Sequence, residues 1–164
     1  MTNHGKWSLE GVPHRGWECI GFADLGYPAA TCEMCEAQEI RYVHTMSHPD
    51  YQEPLDCGCI CASNMESDRA AAPERERQAR NQQARRQGWL KRQWKISEKG
   101  NEYLNVDGCN VVVFPVGDKW RARIAQQLGD HSRLSKRLYP SNAAAKLAAY
   151  DALPLLLAYW AKRQ

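Results

Sequence analysis

The sequence lacks a long apolar run. Its longest, "LPLLLAYWA" from Leu153, is far short of the ~20 residues that span a bilayer. The opening stretch, "MTNHGKWSLEGVPHRGW", has no apolar h-region, so a secretory signal is not expected and the cysteines are read in a reducing cytoplasm. No internal repeat is visible. Large apolar side chains are scarce in two places. Residues 31–61 hold too few to fold around a core of their own, and residues 73–95 hold none before Trp89. Neither stretch is expected to be held by ordinary core packing.

What is present divides in two. The 164 residues suffice for one ordinary domain or two small ones, and 43% hydrophobic with 25% charged residues excludes a disordered or collagenous chain. The net charge of +3 hides an asymmetry. Residues 1–72 carry four Lys/Arg against eleven Asp/Glu, a net −7, whereas residues 73–164 carry eighteen against eight, a net +10. Such a contrast between halves points to two modules, one of them facing a polyanion.

Periodicity predicts the elements. "EIRYVHTM" suits a short strand, and Pro49 and Pro54 punctuate the loop after it. "PERERQARNQQARRQGWLKRQWK" is built from good helix formers, with Pro73 at a first helical position; only Leu90 and Trp94, four residues apart, share an apolar face. "EYLNVDG", "CNVVVFPVGDK" and "KWRARIAQQ" alternate with period two and are joined by the hairpin signals Asp107-Gly108 and Gly117-Asp118. In the third of these, Trp120, Ala122 and Ile124 point one way and Lys119, Arg121 and Arg123 the other. "RLSKRLYPS" adds a short edge strand. Ser141 or Asn142 then caps a helix whose stripe is Ala144, Leu147, Ala148, Ala152 and Leu155, with Pro154 expected to kink or split it.

The residues from Thr31 to Ala62 hold five of the seven cysteines and two of the five histidines. Cys32-x-x-Cys35 is a knuckle that brings two thiolates within reach of one tetrahedral ion, and Cys57, Cys59 and Cys61 follow on alternate positions. The set expected to hold the metal is Cys32, Cys35, Cys59 and Cys61, with Cys57 spare. Three alternate cysteines leave the choice of two open, and His44 or His48 could replace one of them. Four protein donors make a structural Zn²⁺ site, in which the ion replaces the missing core. Disulfides require an oxidising compartment that nothing in the chain signals. A nucleophilic Cys/His pair would need one cysteine set apart with a base. "HTMSHPDY" lacks the adjacent histidines and helical asparagine of a His-Asn-His nuclease, so no catalytic residue is assigned. Cys19 and Cys109 lie among apolar residues and read as buried thiols.

Two resemblances go further. The cysteine unit looks like a zinc-ribbon or treble-clef-type finger. "GDKWRARI" followed by "SKRLYPSNAAAKLAAYDAL" is similar to the APETALA2-type DNA-binding domain and to the sheet domains at the N-termini of phage integrases. The matching residues are Gly117, Lys119, Trp120, Ala122 and Ile124, then Ala148, Ala149, Tyr150, Asp151 and Ala152. "RLYPS" stands where that family has a Gly-Thr/Phe strand end. The strand order also resembles a double-stranded-RNA-binding domain, with "SNAAAK" in place of its Lys-rich helix start. The APETALA2-type resemblance implies three antiparallel strands backed by one helix, with Arg121 and Arg123 facing the DNA groove, Lys119 beside them, and Lys136 and Arg137 on phosphate. Arg75, Arg77, Arg80, Arg85, Arg86, Lys91, Arg92 and Lys95 of the basic helix form a second candidate contact surface.

The expected architecture is therefore α+β. A small zinc-bound module (residues 1–72) leads through a basic linker helix (73–96) to a three- to four-stranded antiparallel sheet covered by one helix (97–164). The expected function is non-catalytic nucleic-acid binding, with duplex DNA favoured over RNA and no membrane partner; the integrase likeness implies an accessory or regulatory factor of a phage or mobile element. The rival reading is an adaptor or inhibitor that docks on a nucleic-acid-processing enzyme, its protein partner, through the acidic N-terminal module; a third, ranked below both, is a His-Asn-His-type nuclease.

Overall fold

The computed structural model describes residues 4–163. The chain is α+β, with three α-helices and antiparallel sheets, and it forms two compact units divided between Gln82 and Gln83. None of the described helices is long and apolar enough to cross a membrane.

In the first unit the strands are β1 (Glu18–Asp24), β2 (Ala30–Thr31), β3 (Glu39–Ile40), β4 (Tyr42–His48) and β5 (Tyr51–Cys57). β4 is rich in β-branched and aromatic residues and runs between β1 and β5 in a three-stranded sheet, while β2 and β3 form a two-stranded ribbon. The cysteine knuckle spans the turn of that ribbon, pinned where the Cys32 N–H donates to the Gln38 carbonyl at 2.8 Å. Helices α1 (Cys59–Met65) and α2 (Ala71–Leu90) follow. Trp17, Met34, Ile40, Val43, Met46, Leu55, Met65 and Ala72 are buried together. This revises the expectation of a coreless head: the cysteine stretch is poor in apolar residues, but Trp17 comes to it from upstream and Met65 and Ala72 from the helices downstream.

In the second unit β6 (Lys95–Ile96), β7 (Glu102–Val106), β8 (Cys109–Val116), β9 (Lys119–Gln126) and β10 (Ser132–Leu134) make one antiparallel sheet in the order β10-β9-β8-β7-β6. It has five strands where three or four were expected, because β6 is a two-residue pairing, exposed and without a hydrophobic pattern of its own. The two hairpin turns form where their residues allow positive φ. Asp107 and Gly108 both adopt it, at 50° and 71°, as a type I′ turn requires, and Gly117 adopts it at 63°.

Helix α3 (Asn142–Ala161) begins at Ser141, whose Oγ accepts from the Ala144 N–H at 3.1 Å. It packs on β8 and β9. The buried stripe is Ala145, Ala149, Leu153 and Trp160, while Leu155 is 72% exposed, so the helix is rotated by about one residue from the expected face. Almost every position of α3 is apolar, so periodicity could not choose among its faces. The helix continues through Pro154, whose missing N–H deprives the Tyr150 carbonyl of its usual helical donor.

One polar group holds α3 to the sheet. Lys146, nearly buried, donates to Glu102 Oε1 at 2.9 Å and lies 4.6 Å from the Trp94 ring centre, and Asn142 donates to Glu102 Oε2 at 2.5 Å. Burial by itself would raise the Glu102 pKa, but the hydrogen bonds from Lys146 and Asn142 outweigh it and hold the carboxyl below its ordinary 4.5. A carboxyl depressed on folding stabilises above its unfolded pKa, and that stabilisation is lost as pH falls through the folded value. Glu102→Gln should therefore cost about 1–3 kcal/mol near neutrality. Chemical denaturation across pH should show wild type and variant converging as pH falls below the ordinary carboxyl range.

Candidate functional sites

The strand β5 ends at Cys57 and α1 begins at Cys59, with Gly58 as N-cap between them. That junction sorts the three alternate cysteines. In a continuous strand they would share one face, but in a helix residues two apart point roughly 200° away from each other. Cys57 and Cys61 are buried in the core beside Cys32, whereas Cys59, half-buried against that core, directs its sulfur to His44 and Glu76. A Cβ at Gly58 would lie 2.6 Å from Ile40 Cγ2, so the close approach of the ribbon favours glycine at the junction.

The sulfurs of Cys32, Cys35 and Cys61 lie within 4.8 Å of one another and could hold a metal ion. Cys57 is hydrogen-bonded to Cys32, which also contacts Cys61. Several N–H donors are aimed at these sulfurs. The backbone N–H groups of Cys35 and Gly58 point at Cys32, that of Met34 at Cys57, and Trp7 Nε1 at Cys61 at 3.5 Å. The Cys57 and Cys61 hydrogen bonds drive the Cys32 thiol well below its usual range. Sharing with Cys32, reinforced by burial, pushes Cys57 and Cys61 up. These N–H donors favour thiolate at Cys32, the form in which sulfur binds a metal ion. A 3₁₀ turn, Gly5–Ser8, lies over the knuckle through a hydrogen bond from the Lys6 N–H to the Met34 carbonyl at 2.8 Å. Gly5 has φ 59°, and a Cβ there would lie 2.5 Å from the Cys35 carbonyl carbon.

Cys59 does not join this group, contrary to the expected foursome. It lies with His44 and Glu76, the three donor atoms again within 4.8 Å of one another. His44 is fully buried, with Phe22 edge-on to its ring. Its Nδ1 accepts from Arg75 Nε at 3.2 Å, so the proton sits on Nε2, which faces Glu76 Oε1 at 3.5 Å. Burial foremost, then Arg75 against the opposing pull of Glu76, keeps His44 below its ordinary 6.5 and neutral near pH 7. Burial and Glu76 likewise keep Cys59 a protonated thiol. Arg75 also bonds Glu66 at 2.6 Å, and Arg80 bonds Glu76 at 2.8 Å while lying over the Tyr42 ring. This second cluster is a hydrogen-bonded network with two arginines in it. A cation on His44 Nε2 would force the proton onto Nδ1, against the Arg75 donor. His48, the other histidine considered as a ligand, belongs instead to the β4–β5 turn, where its Nδ1 accepts from the Asp50 N–H at 3.0 Å.

The same network explains the basic helix. Its first turns are held by Ala72 in the core and by Arg75 and Glu76 in the network. Arg77 pairs with Glu74, and Arg86 with Asp151. Every side chain from Arg80 to Arg85 is exposed. Of the eight cations expected to meet nucleic acid here, four are in ion pairs, Arg92 lies over Trp89, Arg85 and Lys91 have no partner among the described residues, and Lys95 lies in β6 because the helix ends at Leu90.

The sheet of the second unit presents the opposite case. Ala122 and Ile124 of β9 are buried on the α3 side, and Arg121 and Arg123 lie on the other. Strand register extends that open face: Lys95 pairs with Tyr103, Tyr103 with Val112, and Val112 with Arg123, while Phe114 pairs with Arg121 and Val116 with Lys119. Lys95, Lys119, Arg121 and Arg123 are on it with no acidic strand residue, and none of the four is in an ion pair among the described residues. Arg121 Nε is buried and has no hydrogen-bond partner there. Lys136 and Arg137 are exposed on the connection from β10 to α3. Sequence alternation located the β9 cations. Lys95 was expected on the basic helix and the register moves it to this face; Tyr103 and Phe114 needed the register.

Compared with family models, with curated proteins and with solved structures, the chain matches none.

The network predicts a local effect. Glu76→Ala, which removes the acceptor shared by His44, Cys59 and Arg80, should cost about 1–3 kcal/mol. It should also speed amide exchange over the first turns of α2. Arg85→Ala, in the solvated stretch, should change neither melting nor exchange there.

Proposed function

We propose that this chain is a non-catalytic nucleic-acid-binding protein, its first unit organised by a structural zinc ion and its second presenting the open sheet face to nucleic acid. The observation that carries the reading is the grouping of Lys95, Lys119, Arg121 and Arg123 on one face with no acidic strand residue and no ion pair among the described residues, in a chain whose helix cations are mostly neutralised. Cations without partners release counterions when they meet phosphate, whereas paired ones must first give up a carboxylate. The likeness of "GDKWRARI" to APETALA2-type strands supports the same face.

Zinc is the ion the donors favour. Soft thiolates in a closed set select it, and four protein ligands leave no open position for a reacting water. The ligands in this reading are Cys32, Cys35, Cys57 and Cys61, with Cys59 replaced by Cys57. Native mass spectrometry should find one zinc per chain, retained in Cys59→Ser and lost in Cys57→Ser; the reverse pattern would reject this ligand set. Chelation should unfold the first unit and leave the melting of the second in place.

Binding of labelled nucleic acid, titrated at several salt concentrations, tests the sheet face. Arg121→Ala with Arg123→Ala should lower the slope of log K against log salt by about 2. Arg77→Ala should leave it unchanged. Absence of salt-dependent binding to any nucleic acid would defeat the reading.

A further inference from the structure

The open face carries more than charge. Tyr103 on β7 and Phe114 on β8 lie among its cations, half-buried, and neither ring packs on another aromatic ring among the described residues. As diagonal neighbours on adjacent strands they are roughly 7–8 Å apart. Beside Tyr103, a hollow of about 500 Å³ is walled by Ser97, Lys99, Asn110 and Val112, with Glu98 also lining it. Asn110 Nδ2 donates to Asn105 Oδ1 at 2.7 Å, which leaves its own Oδ1 and a second N–H for a partner.

We infer that this face takes single-stranded rather than duplex nucleic acid, with one unstacked base in the hollow against Tyr103 and a neighbouring base on Phe114. The inference rests on the reading of the face as a nucleic-acid surface. In a duplex both flat sides of each base are covered by its neighbours, so a protein ring meets only edges and backbone. A single strand can lay its bases on the rings. The cations sit where the backbone of such a strand would run. Arg121 is opposite Phe114, and Arg123 is opposite Val112, on the side of the rings away from Glu98. In the hollow Asn110 offers a donor and an acceptor to a base edge.

Fluorescence anisotropy with a labelled oligothymidine strand and with a duplex of the same length, at low salt, decides it. The strand should bind tighter than the duplex. Tyr103→Ala and Phe114→Ala should each weaken strand binding about tenfold and leave any duplex binding and the salt slope unchanged. Tyr103→Phe, which keeps the ring, should bind as wild type and shows that the alanine effect is not misfolding. Equal or tighter duplex binding, or strand binding indifferent to Tyr103→Ala and Phe114→Ala, would overturn the inference. If duplex binding persists and still depends on Arg121 and Arg123, the broader reading survives; if neither probe binds, both fall.

Discussion

The change from strand to helix at Gly58 is the constraint on which the first unit depends. β5 delivers Cys57 to the core, the helical turn brings Cys61 back to the same side, and the ribbon supplies Cys32 and Cys35 against them. Gly58 makes the approach of Ile40 sterically tolerable, and its N–H is spent on the Cys32 sulfur. Backbone donors and the Trp7 indole N–H converge on sulfur, which is how a protein stabilises thiolate charge away from water. Trp17, Met34, Met46 and Met65 pack around the cysteine cluster.

Electrostatics sorts the cations of this chain into two populations. Those on α2 are mostly committed: Arg75 between His44 and Glu66, Arg80 to Glu76, Arg77 to Glu74, Arg86 to Asp151. Their role is to position a helix that lacks an apolar stripe, and the buried members of the network do this where hydrophobic burial cannot. Those on β9 and at Lys95 are uncommitted. Net charge alone assigned both groups to a polyanion; pairing distinguishes them.

The second unit was largely legible in advance. Period-two alternation placed β7 to β9, the Asp-Gly and Gly-Asp turns fixed their register, and the serine cap set the start of α3. The parts that were not legible have physical reasons. α3 is apolar nearly all round, so only tertiary packing selects Ala145, Ala149 and Leu153 over Leu155. β6 is too short to carry a pattern. Spacing marked the cysteine stretch as a thiol cluster but could not assign its members, because the side of the chain on which Cys59 falls depends on where strand becomes helix. A glycine with no flanking cap residue gives little notice of that boundary. Glu66 and Glu76 lie outside the cysteine stretch and reach His44 through Arg75 and α2, a contact that no local motif encodes.

The sorting at Gly58 has a kinetic side. Before α1 forms, Cys57, Cys59 and Cys61 are equivalent donors on an extended segment, and any soft ion captured then has no reason to prefer the outer two. Helix formation carries the Cys59 sulfur to the far side of the chain and lets Cys57 and Cys61 close on Cys32. In the proposed four-sulfur site, an ion bound before the turn winds would have to give up the Cys59 sulfur as α1 forms.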